Sequence, residues 1–104
     1  AFGAKAEIEY NKGYPPTIND IEAAKFALET AKEIAGTKAS DSQEPMMGSE
    51  DFSYFLQEKP GAYAWIGNGS SASLHNPSYD FNDEILPVGA SFLSRIAEKI
   101  LGKN

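Results

Sequence analysis

Ala4-Lys5-Ala6-Glu7-Ile8-Glu9-Tyr10, followed at once by Asn11-Lys12-Gly13-Tyr14-Pro15-Pro16-Thr17, is the stretch on which the fold class turns. In its first half, Ala4, Ala6, Ile8 and Tyr10 share one face, and Lys5, Glu7 and Glu9 share the other. A period of two predicts a strand with one wet face. The charged face suits an antiparallel sheet better than a parallel sheet covered on both sides. In the second half, glycine and a Pro-Pro pair halt regular structure. Residues 13–18 therefore read as a hinge between two structural units, with the strand standing apart on its far side.

Beyond the hinge the apolar period lengthens. Asn19 is placed to cap a helix, and Glu22 stands where a capping box wants it. Ile21, Ala24, Leu28, Ala31 and Ala35 form an apolar stripe at helical spacing, and Gly36 supplies the stop. Residues 37–43 carry a weak strand signal. Ser49 is a plausible cap for a short second helix, with Glu50 and Asp51 in its first turn and Phe52, Phe55 and Leu56 on its apolar face. Pro60-Gly61 ends that helix. Ala62-Tyr63-Ala64-Trp65-Ile66 then reads as a short buried strand, with Tyr63 and Trp65 packed inside and Gly67-Asn68-Gly69 closing it. Met46-Met47 reads as core filler. Val88, Phe92, Leu93, Ile96, Ile100 and Leu101 mark a long amphipathic helix. Asp83 is its expected cap, and Pro87 is tolerable in its first turn. Strand, hinge, helix, weak strand, helix, strand, loop, helix is an α/β order.

Composition narrows the function. The chain has 104 residues, of which 41% are apolar and 23% charged, as in ordinary globular domains. It has no cysteine, which excludes disulfides, thiolate metal sites and a cysteine nucleophile. Fifteen acidic residues against nine basic ones leave a net charge of −6. Such a surface repels phosphate backbones and anionic lipid, so neither nucleic acid nor membrane is an expected partner. No apolar stretch approaches the ~20 residues that span a bilayer. No basic-then-apolar segment suggests a secretion signal, and a cytoplasmic location is expected. The chain opens at Ala1 without a methionine, as a processed product or an excised piece would.

Chemistry concentrates around His75, the one histidine. A neutral imidazole is the commonest protein metal ligand and the usual proton carrier near neutral pH. It stands in Leu74-His75-Asn76-Pro77-Ser78-Tyr79-Asp80-Phe81-Asn82-Asp83, a polar loop after an expected strand, where binding groups concentrate. A catalytic zinc wants three protein ligands. Further ligands within the chain would be carboxylates, with Glu50, Asp51, Asp80 and Asp83 available. Each also has a structural reading: Asp83 as a cap, Glu50 and Asp51 as partners of a helix dipole, Asp80 as a solvated group or a group orienting His75. No G-x-S-x-G elbow or dinucleotide fingerprint is present.

Three segments in order, Gly13-Tyr14-Pro15-Pro16-Thr17-Ile18-Asn19-Asp20, Met47-Gly48-Ser49-Glu50-Asp51-Phe52-Ser53 and the His75 loop, resemble the C-terminal part of the M20 metallopeptidase family. The branch is that of hippurate hydrolase and other N-acyl-amino-acid amidohydrolases. The resemblance implies an α/β catalytic domain with two divalent metal ions, zinc or manganese, sharing a bridging water. It also implies an inserted lid domain that mediates homodimerisation. On that comparison residues 1–12 are the last strand of the lid, 13–18 the hinge, and 19–104 the C-terminal portion of the catalytic domain. His75 matches a metal ligand, while Glu50, Asp51, Asn76 and Asp80 match residues lining the site. The family's other ligands and its general base have no counterpart in this chain. The resemblance thus implies a fragment, inactive alone and holding no metal tightly, whose partners are the N-terminal part of its own polypeptide and a small N-acyl amino acid. An unpaired strand at residues 4–10 would also invite self-association. The competing reading is a small acidic interaction module in which His75 is structural.

Overall fold

Helix α1, Ile21–Ala35, starts where the backbone leaves the extended region at Asp20, whose carboxylate Oδ1 accepts the Ala23 N–H at 2.9 Å. The cap is therefore Asp20, one residue later than the Asn19 expected, and Glu22 pairs with Lys25 rather than closing a capping box. Gly36 ends the helix at φ 58°, ψ −130°, a conformation only glycine adopts readily. One turn of 3-10 helix, Gly36–Lys38, follows. Helix α2 is Phe52–Glu58. A second 3-10 turn, Asp83–Ile85, leads into helix α3, Leu86–Leu101, with Pro87 in its first turn as expected. The cap here is Asn82, whose side chain accepts the Glu84 N–H at 3.0 Å, and not Asp83. The computed structural model describes residues 2–102.

α1 and α3 pack side by side. Their contact is in good part polar. Glu33 accepts from Arg95 Nε at 2.7 Å and from Lys99 Nζ at 2.8 Å. Lys99 also donates to the hydroxyl of the buried Thr30 and lies 4.8 Å above the Phe26 ring. The hydrogen bond from Lys99, then that from Arg95, holds the Glu33 carboxyl below its ordinary range. These groups are partly solvated, so the bridge orients the two helices more than it stabilises them.

The α/β expectation needs correcting. Among the described residues there is no strand. Residues 4–10, 37–43 and 62–66 were each expected to hold one. The alternation at 4–10 is real, but every residue of it is exposed, Ile8 at 88%, and no backbone–backbone hydrogen bond reaches it. A strand exists only as a member of a ladder, and among the described residues no segment is joined to this one by backbone hydrogen bonds. Residues 62–66 fare better. Asp20 N–H donates to the Gly61 carbonyl at 2.9 Å, and the Asn19 carboxamide accepts the Tyr63 N–H at 2.8 Å while donating to the Tyr63 carbonyl at 3.0 Å. One side chain here imitates the neighbour a ladder would provide.

Packing follows from the same deficit. No apolar side chain is buried among the described residues, and Trp65 and Met47, expected inside, are exposed. The radius of gyration is 18.8 Å, against about 13 Å for a compact chain of this length. α1, α3 and residues 64–67 border an apolar groove of about 580 Å³ containing Trp65, Ile66, Val88 and Phe92. A small aromatic cluster links α2 to the extended segment, with Phe52 and Tyr63 ring centroids 5.6 Å apart and Tyr63 and Trp65 5.9 Å apart.

Candidate functional site

The loop that carries His75 is built from hydrogen bonds between near neighbours. Asn76 N–H donates to the Ser73 carbonyl at 3.1 Å, closing a turn with Leu74 and His75 at its centre. His75 occupies the third position at φ 66°, the left-handed region that a type II turn demands there and that histidine enters more readily than most residues. A second turn follows directly, with Tyr79 N–H donating to the Asn76 carbonyl at 2.9 Å and Ser78 N–H to Asn76 Oδ1 at 2.8 Å. Pro77, at the second position, has its φ preset for that turn. The His75 side chain is exposed and makes no hydrogen bond or ion pair within the described residues.

The base of the loop is held by Asn68. Its Nδ2 donates to the Asp80 carbonyl at 2.7 Å and to Ser71 Oγ at 3.0 Å, and its Oδ1 accepts the Asn82 N–H at 2.7 Å. Gly69, at φ 80°, lets the chain turn away immediately after it. Asp80 thus enters the arrangement through its carbonyl, and among the described residues its carboxylate makes no hydrogen bond or ion pair with His75.

Glu50 and Asp51 form a separate group at the start of α2. Glu50 Oε1 accepts the Phe52 N–H at 3.0 Å, and Oε2 accepts the Tyr63 hydroxyl proton at 3.0 Å. Glu50 therefore satisfies the helix end, the task expected of Ser49. Chiefly the Phe52 N–H, and then the Tyr63 hydroxyl, holds the Glu50 carboxyl below the ordinary carboxylate range. The same contact raises the Tyr63 phenol, with partial burial adding to the effect. Asp51 is exposed.

The structure therefore brings His75, Asn76 and Asp80 into one loop and Glu50 and Asp51 into another unit, with no hydrogen bond or ion pair joining the two among the described residues. No group of three His, Cys, Asp or Glu side chains that could hold a metal occurs among them. His75 offers one imidazole, and the neighbouring carboxylates do not complete a coordination set, so no catalytic step through a metal is assigned to these residues. Sequence reasoning missed Asn68, Asn19 and Tyr63. An asparagine between two glycines signals a turn, but nothing local reveals that its amide spans to residues 80 and 82.

Comparison with known proteins bears on the same segments. The profile of peptidase family M20/M25/M40 matches residues 4–99. The hippurate hydrolase of Campylobacter jejuni is 44% identical over 98 residues, covering 91% of this chain and 26% of that protein. The IAA-amino acid hydrolase ILR1-like 4 of Arabidopsis thaliana is 34% identical over 93 residues, 85% of this chain and 21% of its own length. The N-acetyl-L-cysteine deacetylase of Bacillus subtilis is 30% identical over all 104 residues, 24% of its length. The chain spans about a quarter of the curated relatives it matches. No solved structure matches it.

Proposed function

The chain belongs to peptidase family M20/M25/M40, and on that premise we propose that it is the C-terminal portion of a metal-dependent amidohydrolase that cleaves N-acyl amino acids. What supports the substrate class is the activity for which three relatives are named, directed at hippurate, an IAA-amino acid and N-acetyl-L-cysteine. Each of those compounds joins an acyl group to an amino acid. Hydrolysis adds water across the amide, leaving a carboxylic acid and a free amine. The observation that carries a role for this segment is the exposed imidazole of His75, held at φ 66° in the first of two consecutive turns.

In this reading His75 presents one nitrogen to the site, and the metal ligands that accompany it belong to polypeptide outside these 104 residues. Asn76 closes the turn that contains His75 and opens the next one. Glu50, committed to the Phe52 N–H and the Tyr63 hydroxyl, lines the site as a fastening and leaves proton transfer to other groups. Residues 1–12 belong to the lid and 13–18 to the hinge about which it closes, excluding water from the reacting amide.

The test is release of glycine from N-benzoylglycine by the full-length protein, wild type and His75→Ala. Wild type should turn over, and His75→Ala should fall by at least about 100-fold in kcat/KM, since even groups supporting a metal ligand are worth ~10- to 100-fold. Near-normal turnover by the variant would remove His75 from the site. Inertness of the wild type toward N-acyl amino acids would remove the substrate class.

A further inference from the structure

We infer that Asn68 is a positioning residue for His75, the single side chain that registers the His75 loop against the rest of the fold. The inference deepens the amidohydrolase reading and rests on it for its catalytic consequence.

Hydrogen bonds and the short stretches of backbone between them together form a closed circuit. From Asn68 Nδ2 the path runs to Ser71 Oγ, and that hydroxyl donates to the Ala72 carbonyl at 2.8 Å. The Ser73–Asn76 and Asn76–Tyr79 turns follow, and the Asp80 carbonyl closes back on Asn68 Nδ2. His75 lies midway round, with no hydrogen bond of its own within the described residues. The same amide also accepts the N–H of Asn82, which caps the start of the helical C-terminus. One half-buried carboxamide therefore ties both ends of residues 69–81 and the entry to α3.

The chemistry of the position is restrictive. It requires two N–H donors and one carbonyl acceptor in a single short side chain. A flipped amide would set its oxygen against the Asp80 carbonyl, so the network also fixes the orientation. Aspartate keeps the acceptor and loses both donors, whereas alanine keeps nothing. Without Asn68 the two turns remain possible, but nothing holds them in one place relative to α3. Isolated turns of a few residues do not persist in water without such closure.

The experiment compares wild-type, Asn68→Ala and Asn68→Asp full-length protein by site-resolved amide hydrogen exchange and by steady-state hydrolysis of N-benzoylglycine. In Asn68→Ala, exchange at the Asn76 and Tyr79 amides should accelerate at least about tenfold while helix amides in α1 stay protected, and kcat should fall about 10- to 100-fold with KM moving less. Asn68→Asp keeps the bond to Asn82 but sets a carboxylate oxygen against the Asp80 carbonyl, so exchange at both amides should accelerate there as well. Unchanged exchange at Asn76 and Tyr79 in either folded variant overturns the inference, since the turns would then hold His75 unaided. If Asn68→Ala does not fold, the Asn68→Asp comparison decides by the same criterion. A wild type that hydrolyses no N-acyl amino acid, with the exchange pattern as expected, would sink the amidohydrolase reading and leave the loop assignment standing.

Discussion

Residues 4–10 and residues 68–82 are both largely exposed and free of helix and strand, yet they differ in kind. The first has a clean polar–apolar alternation and no backbone–backbone hydrogen bond. The second has no periodicity at all and is fastened by three asparagines, two consecutive turns and a capped 3-10 helix. Alternation describes a surface that needs a neighbouring strand, whereas the turns at Asn76 and Asn82 close within a few residues and Asn68 finds its partners inside the same loop. α1, with its cap at Asp20 and its stop at Gly36, belongs with the closed regions. The apolar groove beside Trp65 belongs with the open ones.

The largest way to separate the two kinds is to place a methyl group on a glycine from each. Gly36 sits at φ 58°, ψ −130°, with open space around the position a Cβ would take, so the penalty for alanine is conformational strain alone. Gly13 has open space as well and no positive φ. Gly36→Ala should cost about 1–3 kcal/mol, whereas Gly13→Ala should change stability by less than ~1 kcal/mol and can raise it by stiffening the unfolded chain. Thermal melts followed by circular dichroism at a helix wavelength decide this. Equal penalties would mean that the hinge is as closed as the helix end.

How much was legible in the residues follows the same division. The ends of α1 and the run of α3 could be read to within a residue or two, because Asp20, Gly36 and Pro87 act locally. The caps slipped by one residue at Asn19 and Asp83 because adjacent polar side chains compete for the same N–H groups, and geometry rather than type selects Asp20 and Asn82. The expected strands do not form, because no second segment pairs with any of them in a ladder among the described residues. At the site, His75, Asn76 and Asp80 could be recognised as one loop, since they adjoin. Glu50 could be flagged, but not its bond to Tyr63, which lies 13 residues away. Asn68 was visible only as punctuation.

A smaller effect should appear as acid sensitivity confined to the Glu50–Tyr63 contact. The Phe52 N–H and the Tyr63 hydroxyl favour the ionised carboxyl and hold its folded-state pKa below the unfolded value. At acidic pH the unfolded chain therefore binds the proton more readily, and stability rises with pH through that window. The contribution is complete above the ordinary carboxylate range and is lost as pH falls through the depressed folded-state value. Proton NMR of the Tyr63 ring should show α2 loosening from the extended segment over that interval. Glu50→Gln should remove that pH dependence while the 68–82 loop, fastened by amides, shows none. A loop that titrates in step with Tyr63 would mean that the two units are coupled.

The smallest effect tests the boundary between closed and open at one atom. Ser53 is 1% exposed in the first turn of α2, and its Oγ has no hydrogen-bond partner within the described residues. A buried hydroxyl without a partner is a liability that alanine removes, so Ser53→Ala in the 104-residue chain should be neutral or stabilising by up to about 1 kcal/mol. The same substitution in the full-length protein separates two situations. If α2 is closed by itself, the effect keeps its sign. If the hydroxyl faces a polar group from the rest of the polypeptide, Ser53→Ala costs about 0.5–1.5 kcal/mol there and nothing in the shorter chain. Such a reversal of sign between the two melts would place α2 with residues 4–10, as an element completed from outside, despite its regular backbone.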